Sequence, residues 1–171
     1  MIDPVINWTI AGSGALLFGT ACIHKLRAPE RFSVTLENYR VLPRSFTSVA
    51  AFLVIALEGS ITVGFLWPAH RALSCIAGAA LLLAYAFSMG LNLTRGRRRI
   101  DCGCSLRPRP IRGVMIMRNA ILAAFLLLAC LPTGEREWVW MDGLTLAAAL
   151  LVAAILYTSA DTLLETQWPR W

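Results

Sequence analysis

The chain has 171 residues, of which 57% are hydrophobic and 15% charged, which is too apolar for a soluble domain of this size and long enough for several membrane spans. Its formal net charge of +6 comes from basic residues gathered between apolar runs, where membrane topology and anionic lipid account for them, so no nucleic-acid partner is expected. Five cysteines, an odd number without framework spacing, exclude a disulfide-stapled fold.

Five apolar segments follow in order, at about 5–23, 46–67, 72–93, 114–131 and 144–164, within one integral membrane domain covering 1–171. At about 1.5 Å per residue each can cross a hydrocarbon core of about 30 Å, the fourth barely. Lipid offers backbone groups no water, so each is expected to be a helix. The fold class is therefore an all-α membrane protein, a bundle of four to five transmembrane helices with an interfacial amphipathic helix. The first basic residue is Lys25, so the first segment lacks the basic region of a cleaved signal peptide and is expected to stay as a helix. Within it Ala11, Ala15 and Gly19 recur every four residues, a small-residue stripe that lets a neighbouring helix pack closely in the bundle.

Between the first two segments Pro29 fits a helix start, and Phe32, Leu36 and Tyr39 fall on one apolar face opposite charges. This describes a surface helix over about 29–41, lying on the membrane and stopped by Pro43. Glu58 lies near the middle of the second segment. An acid there must face the bundle interior, as a proton relay, a cofactor contact or an interhelical anchor. His70, in the turn Trp67-Pro68-Ala69-His70-Arg71, reads as a solvated turn residue. Tyr85 and Asn92, with Arg118 and Asn119, form a candidate polar layer near one face, and Asp142 is a candidate cap for the last helix.

With five spans, Lys25, Arg27, Arg31, Arg40, Arg44, Arg95, Arg97, Arg98, Arg99, Arg107, Arg109, Arg112, Arg118 and Arg170 share one side, and only Arg71 and Arg136 lie on the other. The positive-inside rule then places the N-terminus outside and the C-terminus in the cytoplasm with the 94–113 loop.

That loop carries Cys102-Gly103-Cys104. Neighbouring arginines, Arg97 to Arg99, favour thiolate and can dock a partner or lipid headgroups, while Asp101 opposes the first effect. Gly103 gives the backbone freedom to close a disulfide across one intervening residue, and the departure from relaxed geometry makes that bond reducible, which suits exchange. No nearby Cys-x-x-Cys or His pair completes a four-ligand set, so no metal is assigned. His24, expected near the same face, is a candidate for acid-base assistance. Cys22, Cys75 and Cys130 read first as small core residues. Cys75 and Cys130 nevertheless both approach the opposite face, which leaves a transmembrane thiol relay open.

Lys25-Leu26-Arg27-Ala28-Pro29, Phe32, Tyr39-Arg40-Val41-Leu42-Pro43, Glu58, Asn92, Arg95-Gly96-Arg97, Asp101-Cys102-Gly103-Cys104 and Arg118-Asn119 together resemble the methylamine-utilization MauE family, within the wider DoxX-like membrane proteins. The resemblance runs from about Lys25 to Asn119. It implies an inner-membrane protein that supports maturation of methylamine dehydrogenase, whose periplasmic small subunit is rich in disulfides, in company with a thioredoxin-like partner, MauD. By analogy with membrane thiol oxidases, a quinone is a candidate electron acceptor. Ser105-Leu106 follows the cysteine pair where many relatives are expected to have Phe-Gly, which leaves the client open. The expected function is thiol-disulfide exchange by Cys102 and Cys104. The alternative is a non-catalytic chaperone or docking subunit with structural or metal-binding cysteines. One conflict stands at this level: a periplasmic client needs exchange cysteines outside, whereas the arginine count puts Cys102 and Cys104 inside.

Overall fold

Two local effects start the first helix. The Asp3 carboxylate accepts the Val5 N–H at 2.8 Å, and Pro4 enters at the first helical position with φ already set. In the computed structural model, which describes residues 2–41, 43–97, 112–134 and 136–166 (the side chains of 161 and 164–166 excepted), this helix, α1, runs Pro4–Arg27. It is followed by α2 (Pro29–Tyr39), α3 (Thr47–Leu66), α4 (Arg71–Thr94), α5 (Gly113–Leu128) and α6 (Trp140–Thr166), with 3-10 turns at Arg44–Phe46 and Pro68–His70. Four stretches, Pro4–Arg27, Arg44–Leu66, Pro68–Thr94 and Trp140–Ala160, are long and apolar enough to cross a membrane. Helix α5 adds a shorter apolar helix of 16 residues, about 24 Å long. The chain is a multi-pass helical membrane protein.

Side-chain contacts fix the helix directions. Gly14 meets Phe65, Gly19 meets Thr62 and Cys22 meets Ile55, so α1 and α3 are antiparallel. Gly64 against Ser74, and Glu58 against Tyr85, make α3 and α4 antiparallel; Gly78 against Leu126, and Gly90 against Ile116, do the same for α4 and α5. Helix α6 runs parallel to α1, with Leu150 against Gly12. One end of the bundle therefore gathers Lys25, α2 and the junction of α4 with α5, and is called the basic end. The other, the clasp end, gathers residues 2–8, the α3–α4 turn and the α5–α6 connection.

The core between α1, α3, α4 and α5 is built on Phe18 and Phe65, stacked with centroids 6.2 Å apart. Glycines make room for both rings: a Cβ on Gly14 would lie 2.7 Å from Phe65, and one on Gly78 would lie 2.9 Å from Phe18. Ala11 and Ala15 of the small-residue stripe pack in this same core, which gives the stripe its purpose within one bundle. The apolar face of α2 is turned on to the bundle: Phe32 packs with Cys22, Ala51 and Ile55, and Tyr39 with Met89 and Met115. Outward-facing side chains such as Phe52 and Phe87 are apolar, as a lipid-facing surface requires.

The clasp end is closed by backbone and charge. Ile2 N–H donates to Pro132 O at 2.9 Å, and Gly134 N–H donates to Ile2 O at 2.8 Å. Arg136 bridges Asp3, with Nε to Oδ2 at 3.0 Å, and Asp142, with Nη2 to Oδ1 at 2.7 Å. Asp142 lies inside the first turn of α6 and reaches back to accept the Val139 N–H at 2.9 Å, the reciprocal half of a capping box. The Arg136 hydrogen bond, with the Val5 N–H second, holds the Asp3 carboxyl below its usual value.

A folded value below the unfolded one means that the contribution of Asp3 is complete above about pH 4 and is lost as pH falls through the folded value. Hydrogen exchange of the Ile2 and Gly134 amides, corrected for intrinsic rates, should therefore show protection at neutral pH that fails first below about pH 4. Arg136→Gln should remove that protection at neutral pH. In the core, Gly14→Leu should lower the thermal midpoint in detergent, since overpacking costs about 1 to 3 kcal/mol, whereas Gly143→Ala, with open space around it, should not.

Candidate functional site

A carboxylate placed inside an apolar bundle costs several kcal/mol unless a counter-charge and hydrogen bonds accompany it. Glu58, 1% exposed on α3, has both. Lys25 Nζ, on the last turn of α1 and 4% exposed, stands 2.6 Å from Glu58 Oε1, and the Tyr85 hydroxyl on α4 donates to the same oxygen at 2.7 Å. The rest of the ammonium faces the rings of Phe32, 5.0 Å to the centroid, and Tyr85, 5.4 Å. Glu58 Oε2 is buried without a hydrogen-bond partner among the described residues. Cys22, one turn before Lys25, donates weakly to Ile55 O at 3.5 Å. The interior position expected for Glu58 is thus occupied as an ion pair joining three helices.

Lys25 is the functional side chain that sequence reasoning missed as such, because it was counted with the loop charges. The signal was available: a buried acid calls for a cation, and Lys25 ends the first apolar segment. His24 is half-buried and precedes Lys25 by one position, so its side chain leaves α1 about 100° away from the one that reaches Glu58.

Above this pair the backbone turns sharply. Gly96, with φ +72°, follows the end of α4; its N–H donates to Leu93 O at 3.1 Å, and the Arg97 N–H donates to Asn92 O at 3.0 Å. These are the two bonds of a Schellman stop, and glycine is the residue that takes this φ without steric cost. Asn92 donates to Tyr39 O at 3.1 Å, and Arg95 Nη1 lies 3.5 Å from Arg40 O, so the end of α4 holds the end of α2. The Arg-Gly-Arg run therefore stops α4 at the basic end, and the chain returns there at Gly113 to begin α5. Cys102, Cys104, Arg98 and Arg99 lie outside the described residues. Asn119 is buried on α5, and Arg118 lies with Cζ 5.7 Å from the Tyr157 ring centroid.

Cys75 and Cys130 come together at the clasp end. Cys75 is fully buried on α4, Cys130 is exposed just beyond α5, and the Cys130 thiol lies 3.9 Å from the Ala72 carbonyl, one turn before Cys75. Ten residues of α4, about 15 Å, separate Cys75 from the level of Tyr85 and the ion pair, near which Cys22 lies. Cys22 and the Cys75–Cys130 pair therefore sit at different levels of the bundle, too far apart for a direct disulfide in this packing. His70 is exposed in its turn.

The ionic centre also bears on the quinone analogy. A quinone carbonyl needs a hydrogen-bond donor, whereas the buried group left unmatched here is a carboxylate oxygen, and the donors of Lys25 and Tyr85 are directed at Glu58 Oε1 and at aromatic rings. This centre does not fit a quinone carbonyl, and no step is assigned to a quinone.

The family model described as methylamine utilisation protein MauE matches residues 3–132. The chain belongs to the MauE family. Three relatives described as methylamine utilization protein MauE are similar over most of their length. The one from Paracoccus denitrificans is 33% identical, over 95% of this chain and 89% of the relative. The one from Paracoccus versutus is 34% identical over 94% and 88%, and the one from Methylophilus methylotrophus 30% over 93% and 86%. No solved structure matches the chain. The matched residues contain α1 to α5, the ion pair and both close cysteine pairs, while α6 follows them.

The ion pair makes a direct prediction. Lys25→Met or Glu58→Met alone should destabilise the bundle by about 3 to 5 kcal/mol, since each leaves a buried charge uncompensated. The double change to Met should recover most of the loss, as read by thermal unfolding in detergent; simple additivity would show that the two side chains do not act as a pair.

Proposed function

We propose that this chain is a membrane thiol-disulfide exchange protein of methylamine utilisation, with Cys102 and Cys104 as its exchanging pair. The relatives' names supply the pathway, and the chemistry of a Cys-Gly-Cys run among arginines supplies the reaction. One structural observation supports the site: α4 stops and α5 starts at the end of the bundle that carries Arg40, Arg95, Arg97 and Arg112 beside the buried Lys25–Glu58 ion pair. The segment bearing the two cysteines is thus tethered at both ends to a rigid, positively charged platform.

In the exchange, the Cys102–Cys104 disulfide accepts a thiolate from a client, forming a mixed disulfide and freeing one cysteine of the pair. A second client thiolate then displaces the other. The client gains one disulfide, and the pair takes up two electrons and two protons. Reoxidation transfers these to the disulfide of a thioredoxin-like partner of the MauD type, which becomes a dithiol. The client in this reading is the small subunit of methylamine dehydrogenase or a related periplasmic protein, which requires the Cys102–Cys104 loop on the periplasmic face, opposite to the side given by the arginine count. Arg97 to Arg99 favour the thiolate leaving group and guide the partner's approach.

Changing Cys102 and Cys104 to Ser should leave the protein at its normal level in the membrane and leave client cysteines open to alkylation, counted by mass-tagged maleimide. Loss of the protein itself from the membrane would instead support the docking-subunit reading, in which the cysteines are structural.

A further inference from the structure

Asn7 ties together two stretches of backbone far apart in sequence. Its Oδ1 accepts from Arg71 Nη1 at 3.0 Å, and its Nδ2 donates to the Ala129 carbonyl at 2.9 Å, so one buried amide on α1 holds the start of α4 and the end of α5. Cys75 lies one turn beyond Arg71, and Cys130 follows Ala129 directly. The Cys130 thiol is 3.9 Å from the Ala72 carbonyl, one turn before Cys75 on the same helix, so the two cysteines are neighbours where α4 packs on α5.

The Arg71 guanidinium lies 3.7 Å over the Trp8 ring, and its Nε and Nη2 are buried without a hydrogen-bond partner among the described residues. Core filling accounts for Cys75, which is fully buried beside Ala79 and Leu126, but not for Cys130, which is exposed at the mouth of the bundle. One accessible thiol backed by one buried thiol is the arrangement that thiol-disulfide exchange requires: the first meets the partner, and the second resolves the mixed disulfide.

We propose that Cys75 and Cys130 are a second redox pair, which cycles between dithiol and disulfide by exchange with a protein or small-molecule disulfide at the clasp end. The Cys130 thiolate attacks one sulfur of the incoming disulfide, and the partner's other sulfur leaves as a thiol. The Cys75 thiolate then attacks Cys130 Sγ, closing the Cys75–Cys130 bond and releasing the second partner thiol. Two protein thiols lose two electrons and two protons, and one partner disulfide becomes two thiols. Run in reverse, the pair hands a disulfide to a client. This extends the thiol-exchange reading to the opposite end of the bundle and does not depend on Cys102 and Cys104.

The test uses the full chain in detergent, with Cys22, Cys102 and Cys104 changed to Ser, equilibrated at graded ratios of reduced to oxidised glutathione. Acid quenching and mass-tagged maleimide then count free thiols. Both thiols should disappear together in one two-electron step, and peptide mapping should find a 75–130 cross-link in protein whose helical circular dichroism and elution are unchanged. Cys75→Ala should leave Cys130 trapped as a glutathione adduct, and Cys130→Ala should leave Cys75 unlabelled by glutathione. The same cross-link should be recovered by peptide mapping of the unaltered chain after oxidation. Free labelling of both thiols at every ratio, or adducts on each without a cross-link, would overturn the proposal. Since Cys102 and Cys104 are absent from the tested chain, that result would leave their assignment standing, and failure of their own test would leave this one standing.

Discussion

The ion pair between Lys25 and Glu58 is the constraint on which the rest of the bundle depends. In lipid, moving an apolar side chain from a hydrocarbon tail to a protein neighbour gains little, so apolar packing alone sets helix register weakly. A buried carboxylate 2.6 Å from a buried ammonium sets it strongly, because a shift of one residue separates them and leaves two uncompensated charges. With that contact fixed, Tyr85 brings α4 to the same oxygen, and Phe32 brings α2 over the ammonium. Small residues complete the fit, with Gly14 and Gly78 admitting the two stacked phenylalanines. The basic end is thus organised by one polar centre, although nearly every residue around it is apolar.

The clasp end solves the same problem with different groups. Asn7 uses both ends of its amide to hold Arg71 and Ala129, and Arg136 spans Asp3 and Asp142. Trp8 takes the Arg71 guanidinium on its face and meets Trp138 edge-on at 6.0 Å. Here the bonds join chain segments at a membrane boundary, where water can reach part of the network. At the basic end they are sealed inside. Among the described residues the two ends therefore differ in what a solute can touch: a closed ion pair at one, an exposed cysteine at the other.

How much of this was legible follows from what each residue reports. Apolar runs announced helices because lipid leaves the backbone no other way to satisfy its hydrogen bonds. Glu58 announced a buried site because an acid in a span needs a reason, yet its partner stayed hidden, since Lys25 at a helix end looks like any flanking charge. Asn7 was passed over altogether: one amide early in an apolar run gives no periodic signal, and its partners are 64 and 122 residues away. The face of α2 was read correctly as apolar, but the sequence does not distinguish a face meant for lipid from one meant for α3. The approach of Cys75 and Cys130 toward a shared face was visible from span order; their contact needed the pairing of α4 with α5. For Cys102 and Cys104 the sequence remains the source, through their spacing and their arginines.

The parallel course of α6 and α1 has a consequence for how the molecule is handled. Helix α1 begins at the clasp end and α6, running the same way, leads away from it toward the basic end. The molecule is therefore polar in the directional sense: inverting it in a vesicle exchanges which end, the one with the buried ion pair or the one with the exposed Cys130, each compartment meets.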